Sequence, residues 1–201
     1  MTRWYREKKH EHFYKEAKKV GYRARSAFKL KQIQKKFKII KKSDLVLDLG
    51  AAPGGWSQVI KEIINDNGIV IGVDLSFIEP IGGITFLQGD LTKNSTINKI
   101  KKIIQDNKFD VILSDMSPNI SGNYNVDHAR SIHLCEQALK STELLLKNGG
   151  IFVCKVFDGE QLQDFIKETK KSFKNVKQFS PIASRKSSSE RYVIAKYRQT
   201  S

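Results

Sequence analysis

The segment Gly50-Ala51-Ala52-Pro53-Gly54-Gly55-Trp56-Ser57 follows the apolar run LVLDLG directly and leads into a stretch with Val59, Ile60, Ile63 and Ile64 at helical spacing. Glycines at a strand-to-helix turn let a ligand press against backbone, and a helix start offers N–H groups that have no partner within the helix. Asp74 closes the next apolar run, IVIGVDL, 24 residues after Gly50, where a carboxylate can accept hydrogen bonds from both hydroxyls of a ribose. Asp90 closes ITFLQGD, placed to meet a base or a cationic group. A single glycine turn or a single aspartate is commonly a tight loop or a helix cap. Three successive strand ends that each carry such a residue mark a nucleotide-type edge. The spacing is Gly-x-x-Pro-Gly-Gly, not the Gly-x-Gly-x-x-Gly that accommodates a dinucleotide pyrophosphate, which disfavours a nicotinamide-dependent oxidoreductase. An acid-lined edge suits a cation. S-adenosylmethionine carries a sulfonium and an ammonium and no phosphate, so it is the cofactor this edge fits.

These residues need a scaffold that brings strand ends together. Strand patterns are predicted at 45–50, 69–75, 84–90, 110–116 and 150–157, with two more in VKQF and RYVIAKY. Helical patterns lie at 57–66, 97–106, 127–147 and 162–173, the third expected to be capped at Asp127 and stopped by Gly149-Gly150. The near-continuous apolar run of DVILSDM is that of a strand buried on both faces. Alternating strands and helices predict an α/β fold: a Rossmann-like, seven-stranded, mostly parallel sheet with helices on both faces and an antiparallel last strand. Ligands of such sheets bind outside the strand carboxyl ends. Residues 4–20 and 24–36 read as two basic helices, which gives a helical extension over 1–42 and the α/β domain over 43–201.

Charge follows the same division. The 201 residues carry +15 in total, with +13 in 1–42, −6 in 43–166 and +8 in 167–201. An acidic middle between two basic ends suggests a central domain with its own chemistry, and ends that meet on a polyanion; phosphate contacts there make binding salt-dependent. No apolar run approaches the 18 or so residues of a membrane span, and the first 20 residues lack the apolar core of a signal peptide. Cys135 and Cys154 are isolated thiols without metal or disulfide spacing, as expected for a reducing intracellular compartment; cytoplasm, nucleus and mitochondrion stay open. The four histidines lack metal-ligand spacing, so no metal is expected, and His128 and His133 read as helix-surface residues.

The strings DLGAAPGGWSQ, FLQGD, SDMSPNISG, VDHAR, CKVFDGE and SSSERYVIAKYR, with GYRARSAFKLKQIQ before them, resemble the FtsJ/RrmJ family of ribosomal-RNA ribose 2′-O-methyltransferases over nearly the whole chain. Ser117 stands where the family's SDMAPN has alanine. The resemblance implies a methyltransferase domain, S-adenosylmethionine as cofactor, and Gly50, Pro53, Gly54, Gly55, Trp56, Asp74, Asp90 and Asp115 around it. It also implies a catalytic Lys-Asp-Lys-Glu tetrad, matched here by Lys29, Asp115, Lys155 and Glu190. Methyl transfer from a sulfonium is an in-line displacement, and a sugar hydroxyl is a poor nucleophile at neutral pH, so the protein must align the oxygen and manage its proton. Lys155 is the expected base or alkoxide stabiliser, oriented by Asp115, with Lys29 and Glu190 positioning the ribose. The implied substrate is a uridine of large-subunit ribosomal RNA, bound by a monomer. The alternatives are a tRNA 2′-O-methyltransferase and a catalytically silent RNA-binding relative.

Overall fold

The structure, a computed structural model, describes residues 15–183 and 189–199. Most of the helix expected over 4–20 lies outside these, as do His10 and His12. Seven strands are present: β1 (Leu45–Leu49), β2 (Ile69–Asp74), β3 (Thr85–Gln88), β4 (Phe109–Ser114), β5 (Leu146–Phe157), β6 (Phe173–Phe179) and β7 (Glu190–Arg198). Besides a helical stretch over 15–19, the helices among the described residues are α1 (Ser26–Phe37), α2 (Gly55–Ile63), α3 (Asn94–Ile103), α4 (Tyr124–Leu145) and α5 (Leu162–Ser172). The strands form one sheet in the order β3-β2-β1-β4-β5-β7-β6. The first five run parallel, and β7 lies antiparallel between β5 and β6. The order reverses between β1 and β4, so a crevice opens beyond the carboxyl ends of that pair.

Alternation along each strand divides the core by sheet face. Leu47, Leu49, Ile112 and Cys154 pack with α3, α4 and α5, whereas Val46, Val111, Leu113, Val153 and Tyr192 pack with α1 and α2. Ala27, Leu30 and Ile33 recur at every third position of α1 and are fully buried, so the basic extension is bound to the sheet through its own core. Burial of each of the two larger side chains contributes about 1.5–3 kcal/mol. The helix ends at Lys38 in the left-handed region, φ 48°. There the Gln34 side chain accepts from the N–H of Ile39 and Ile40 at 2.9 and 3.0 Å and donates to the Ile40 carbonyl at 2.8 Å, which fixes the chain's entry into β1.

The two basic ends meet on this face. Phe37 lies edge-on to Phe179 at 5.4 Å, the Lys36 ammonium stands 4.5 Å over the Phe179 ring, and Lys196 donates to the Phe37 carbonyl.

Two local expectations change. The Gly149-Gly150 pair does not stop α4: the helix ends at Leu145 and β5 begins at once. Leu146 pairs with Phe109, the register then shifts, and Ile151 pairs with Val111, so the glycines sit in an irregularity of the strand, Gly149 at φ 74°. The cap of α4 is Asn123, whose side chain accepts from the N–H of Asn125 and Val126, and not Asp127. Asp127 instead accepts from the Ser121 N–H and hydroxyl, both at 2.8 Å, and from the Gly122 N–H at 3.1 Å, folding the preceding loop onto the first turn of the helix. No helix among the described residues is long and apolar enough to cross a membrane.

Candidate active site

A cavity of about 390 Å³ opens beyond the ends of β1, β2, β3 and β4. Gly50, Asp74, Asp90 and Asp115 line it together with Leu49, Val73, Leu91 and Met116. The turn at Gly50 is closed by N–H bonds from Gly50 and Ala51 to the Val73 carbonyl at 2.9 and 3.2 Å. Gly50 has φ 72°, and a Cβ there would stand 2.7 Å from the Met116 side chain, so both conformation and space require glycine. Asp74 accepts from the Ala52 N–H at 3.0 Å and the Ser76 N–H at 2.8 Å, and Asp90 from the Thr92 N–H and hydroxyl at 2.9 and 2.8 Å. These bonds aim the carboxylates, and each carboxylate oxygen can accept more than one bond.

Other residues of the glycine-rich turn serve a different neighbour. Pro53, Gly54, Gly55 and Trp56 do not line the cavity. A Cβ on Gly55 would lie 3.0 Å from that of Ala24, and one on Gly54 3.2 Å from the Arg23 guanidinium. The Arg23 guanidinium donates to the carbonyls of Pro53, Glu79 and Pro80, and the Arg23 backbone N–H donates to the Gln58 side-chain oxygen. The Trp56 indole donates to the Ser26 carbonyl at 2.9 Å, and its ring packs on Tyr192 with centroids 5.7 Å apart. The turn is thus the dock for the segment leading into α1.

That docking brings the four tetrad residues to one place as two ion pairs. The Lys155 Nζ donates to the Asp115 carbonyl at 2.7 Å and lies 3.4 Å from the Asp115 Oδ1. The Lys29 Nζ donates to the Glu190 Oε2 at 2.5 Å across 161 residues of sequence. Both lysines are buried, Lys29 at 5% and Lys155 at 6% exposure, where an uncompensated charge would be costly. Each therefore depends on its carboxylate. The Asp115 N–H in turn donates to the Leu49 carbonyl at 3.1 Å, which ties the end of β4 to the end of β1.

Tyr192 is a further member that the sequence does not announce. It faces Lys155 across the antiparallel β5·β7 pairing and donates from its hydroxyl to the Asp115 Oδ1 at 2.8 Å. Complete burial first, and the Asp115 charge second, push its phenol well above the usual range, so it stays a donor. Its only sequence signal is its place two residues after Glu190.

Asp48, inside β1, is fully buried. Ser57 donates to its Oδ2 at 2.6 Å, and its Oδ1 has no hydrogen-bond partner among the described residues. Burial pushes its carboxyl up to about 7, the Ser57 hydrogen bond opposes this, and the nearby charges of Asp115 and Asp74 add to the rise. The carboxylates of Asp74, Asp90 and Asp115 that line the cavity fit a cationic ligand and not a diphosphate. The residues present fit S-adenosylmethionine.

His128 departs from the surface position expected of it and is buried. The Gln161 N–H donates to its Nε2 at 3.2 Å, so the proton sits on Nδ1, which lies 3.1 Å from the Phe157 carbonyl. His133 is exposed and lines the acid-lined cavity.

Known proteins bear directly on this arrangement. Residues 22–198 match the profile of the FtsJ-like methyltransferases. The chain is 51% identical to the ribosomal RNA large subunit methyltransferase E of Methanothrix thermoacetophila, over 92% of this chain and 72% of that protein. It is 42% identical to the protein of the same name from Francisella philomiragia, over 96% of this chain and 94% of that one. Its structure superposes on that of a Plasmodium falciparum protein described as a ribosomal RNA methyltransferase with a TM-score of 0.80 and 32% identity, covering 88% of this chain and 98% of that one. With its sheet, its acid-lined crevice and its paired lysines and carboxylates, the chain belongs to the FtsJ-like methyltransferase family.

Proposed function

We propose that this protein transfers the methyl group of S-adenosylmethionine to a ribose 2′-hydroxyl of large-subunit ribosomal RNA, acting as a monomer in a reducing compartment. The observation that carries the reading is the pairing of Lys155 with Asp115, a residue of the acid-lined cavity wall. Such a lysine serves transfer to a hydroxyl oxygen; a methyl acceptor that is already a good nucleophile has no need of it. The names of the relatives support ribosomal RNA as the substrate class. The joined basic ends support a polyanionic partner, and the two buried free thiols support the compartment.

Asp74, Asp90 and Asp115 would hold the cofactor, with Gly50 giving it access to backbone. When bound, S-adenosylmethionine supplies an electrophilic methyl group. This chain's residues do the rest. The carbonyl and carboxylate of Asp115 fix the direction of Lys155 Nζ, and the Tyr192 hydroxyl fixes that carboxylate from the other side. Lys155 then holds the acceptor oxygen, taking its proton as a base or stabilising the charge that develops on it. The Lys29–Glu190 pair, contributed by the two basic ends, bounds the place where the ribose rests and excludes water from it.

The test is incubation of methyl-tritiated S-adenosylmethionine and the protein with large ribosomal subunits, free ribosomal RNA and tRNA, followed by nucleoside analysis. Label is expected on a ribose of ribosomal RNA. Label on tRNA alone would replace the substrate, and label on no RNA would refute the enzyme.

A further inference from the structure

A second cavity, about 460 Å³, shares Ser117 with the acid-lined one and is lined by none of Asp74, Asp90 and Asp115. Its walls include Arg25, Ser117, Ile120, Tyr124, His128 and Glu190. Its volume is within the roughly 300–1,000 Å³ of small-ligand sites. Ser117 lines both cavities, and Glu190 belongs to the Lys29 ion pair, so the second cavity runs from the acid-lined one to that pair.

Tyr124 is the unusual element of this wall. Its side chain is large and partly apolar, yet the residue is 58% exposed, and Ile120 beside it in the cavity wall is 63% exposed. Neither is there to fill a core. The ring is nevertheless held still: its hydroxyl donates to the Asp158 carbonyl at 2.6 Å, and its plane lies within 11° of the His128 ring, centroids 6.5 Å apart. His128 is fixed in turn by the Phe157 carbonyl and the Gln161 N–H, with both ring nitrogens occupied, so it backs Tyr124. Gly159 makes room for it, since a Cβ there would lie 2.5 Å from the His128 Nδ1. A rigid, exposed aromatic face loses little freedom on binding, and a nucleobase taken out of its helix presents a flat π-face that stacks on such a ring.

We propose that the second cavity receives the unstacked base of the acceptor nucleotide, with the base resting on Tyr124 and Ile120 forming an aliphatic wall. The inference rests on the ribose-methylation reading and adds to it the residue that positions the acceptor. Arg25, in the same wall, lies where the flanking phosphate of that nucleotide passes.

The full chain carrying Tyr124→Ala, Tyr124→Leu or Tyr124→Phe tests this, with KM and kcat measured for large ribosomal subunits and cofactor affinity measured by calorimetry. Alanine and leucine should raise the KM for RNA about five- to hundredfold, the range that loss of one base stack produces. Phenylalanine should stay within about twofold of the wild type, and cofactor affinity should be unchanged in all three. An unchanged KM in the alanine variant, with methyl transfer intact, would overturn the stacking site and leave the enzyme reading standing. A phenylalanine variant as impaired as alanine would assign the effect to the Asp158 hydrogen bond, and the proposal would fall. A wild-type protein that labels no ribose refutes the underlying function, and this inference with it.

Discussion

The two cavities are built in opposite ways. The acid-lined cavity is made by the ends of strands that follow one another along the chain, and its carboxylates are aimed by backbone N–H groups within two residues for Asp90 and within 22 for Asp74. The other takes Arg25 from before α1, the turn into α4 and Ser189-Glu190 at the start of β7, so it exists only when distant segments have docked. One is a property of the sheet and the other a property of the packing on it. Ser117 stands on the seam, and Asp115, in the acid-lined wall, holds Lys155 beside it.

The largest effect should come from breaking the pair beside that seam. Lys155→Met keeps much of the aliphatic stem and removes the ammonium, so kcat for methyl transfer should fall about 10²- to 10⁴-fold. Cofactor affinity, measured by calorimetry, should change little if the two cavities are as separate as their construction suggests. Retention of wild-type kcat would remove Lys155 from the chemistry.

Asp48 tests the charge beneath the acidic cavity. Its folded carboxyl titrates near 7, above the ordinary carboxyl value of about 4, so the folded state binds the extra proton between these limits. Stability from this group is therefore fully present below about pH 4 and is lost as pH rises toward 7. Asp48→Asn should flatten that slope, seen as a thermal midpoint that no longer falls across the interval, with a difference at neutral pH of at most about 4 kcal/mol. A wild-type midpoint that does not fall between pH 4 and 7 would show the carboxyl to be satisfied by other means.

The smallest effect sharpens the division from the cofactor side. Asp74→Ala removes one charged acceptor and should raise the cofactor Kd about 10- to 100-fold, equivalent to a charge-assisted bond of about 1.5–3 kcal/mol, with the KM for RNA unchanged. A comparable rise in the RNA KM would mean that the cavities communicate.

Sequence alone makes the first cavity readable, because its logic is local: an apolar strand, a glycine or aspartate at its end, and a helix after it. Seven strands and their mostly parallel order follow from the same alternation, and the antiparallel β7 from the missing helix between the last two strands. The tetrad pair Lys29 and Glu190 is readable only through its resemblance to a family, since no spacing rule connects residues 161 apart. Tyr192 and the buried His128 are not readable at all. Tyr192 depends on which residue β7 sets against Lys155, and His128 depends on a glycine at 159 clearing its space. Gly54 and Gly55 show a further limit: a sequence reveals that something approaches a glycine closely, and only the fold shows that Arg23 and Ala24 do so.

The Lys29–Glu190 bond also sets a timetable. Until β7 has inserted between β5 and β6, the edge of β5 is open, Lys29 lacks its carboxylate and Asp115 lacks the Tyr192 hydroxyl. Chain synthesis delivers Lys29 long before Glu190, and closing a loop of 161 residues waits on everything between. A partly made chain can form the early strands and their carboxylates and still hold no ribose. The site is thus complete only once β7 is in the sheet, because that one strand carries both the carboxylate for Lys29 and the hydroxyl for Asp115.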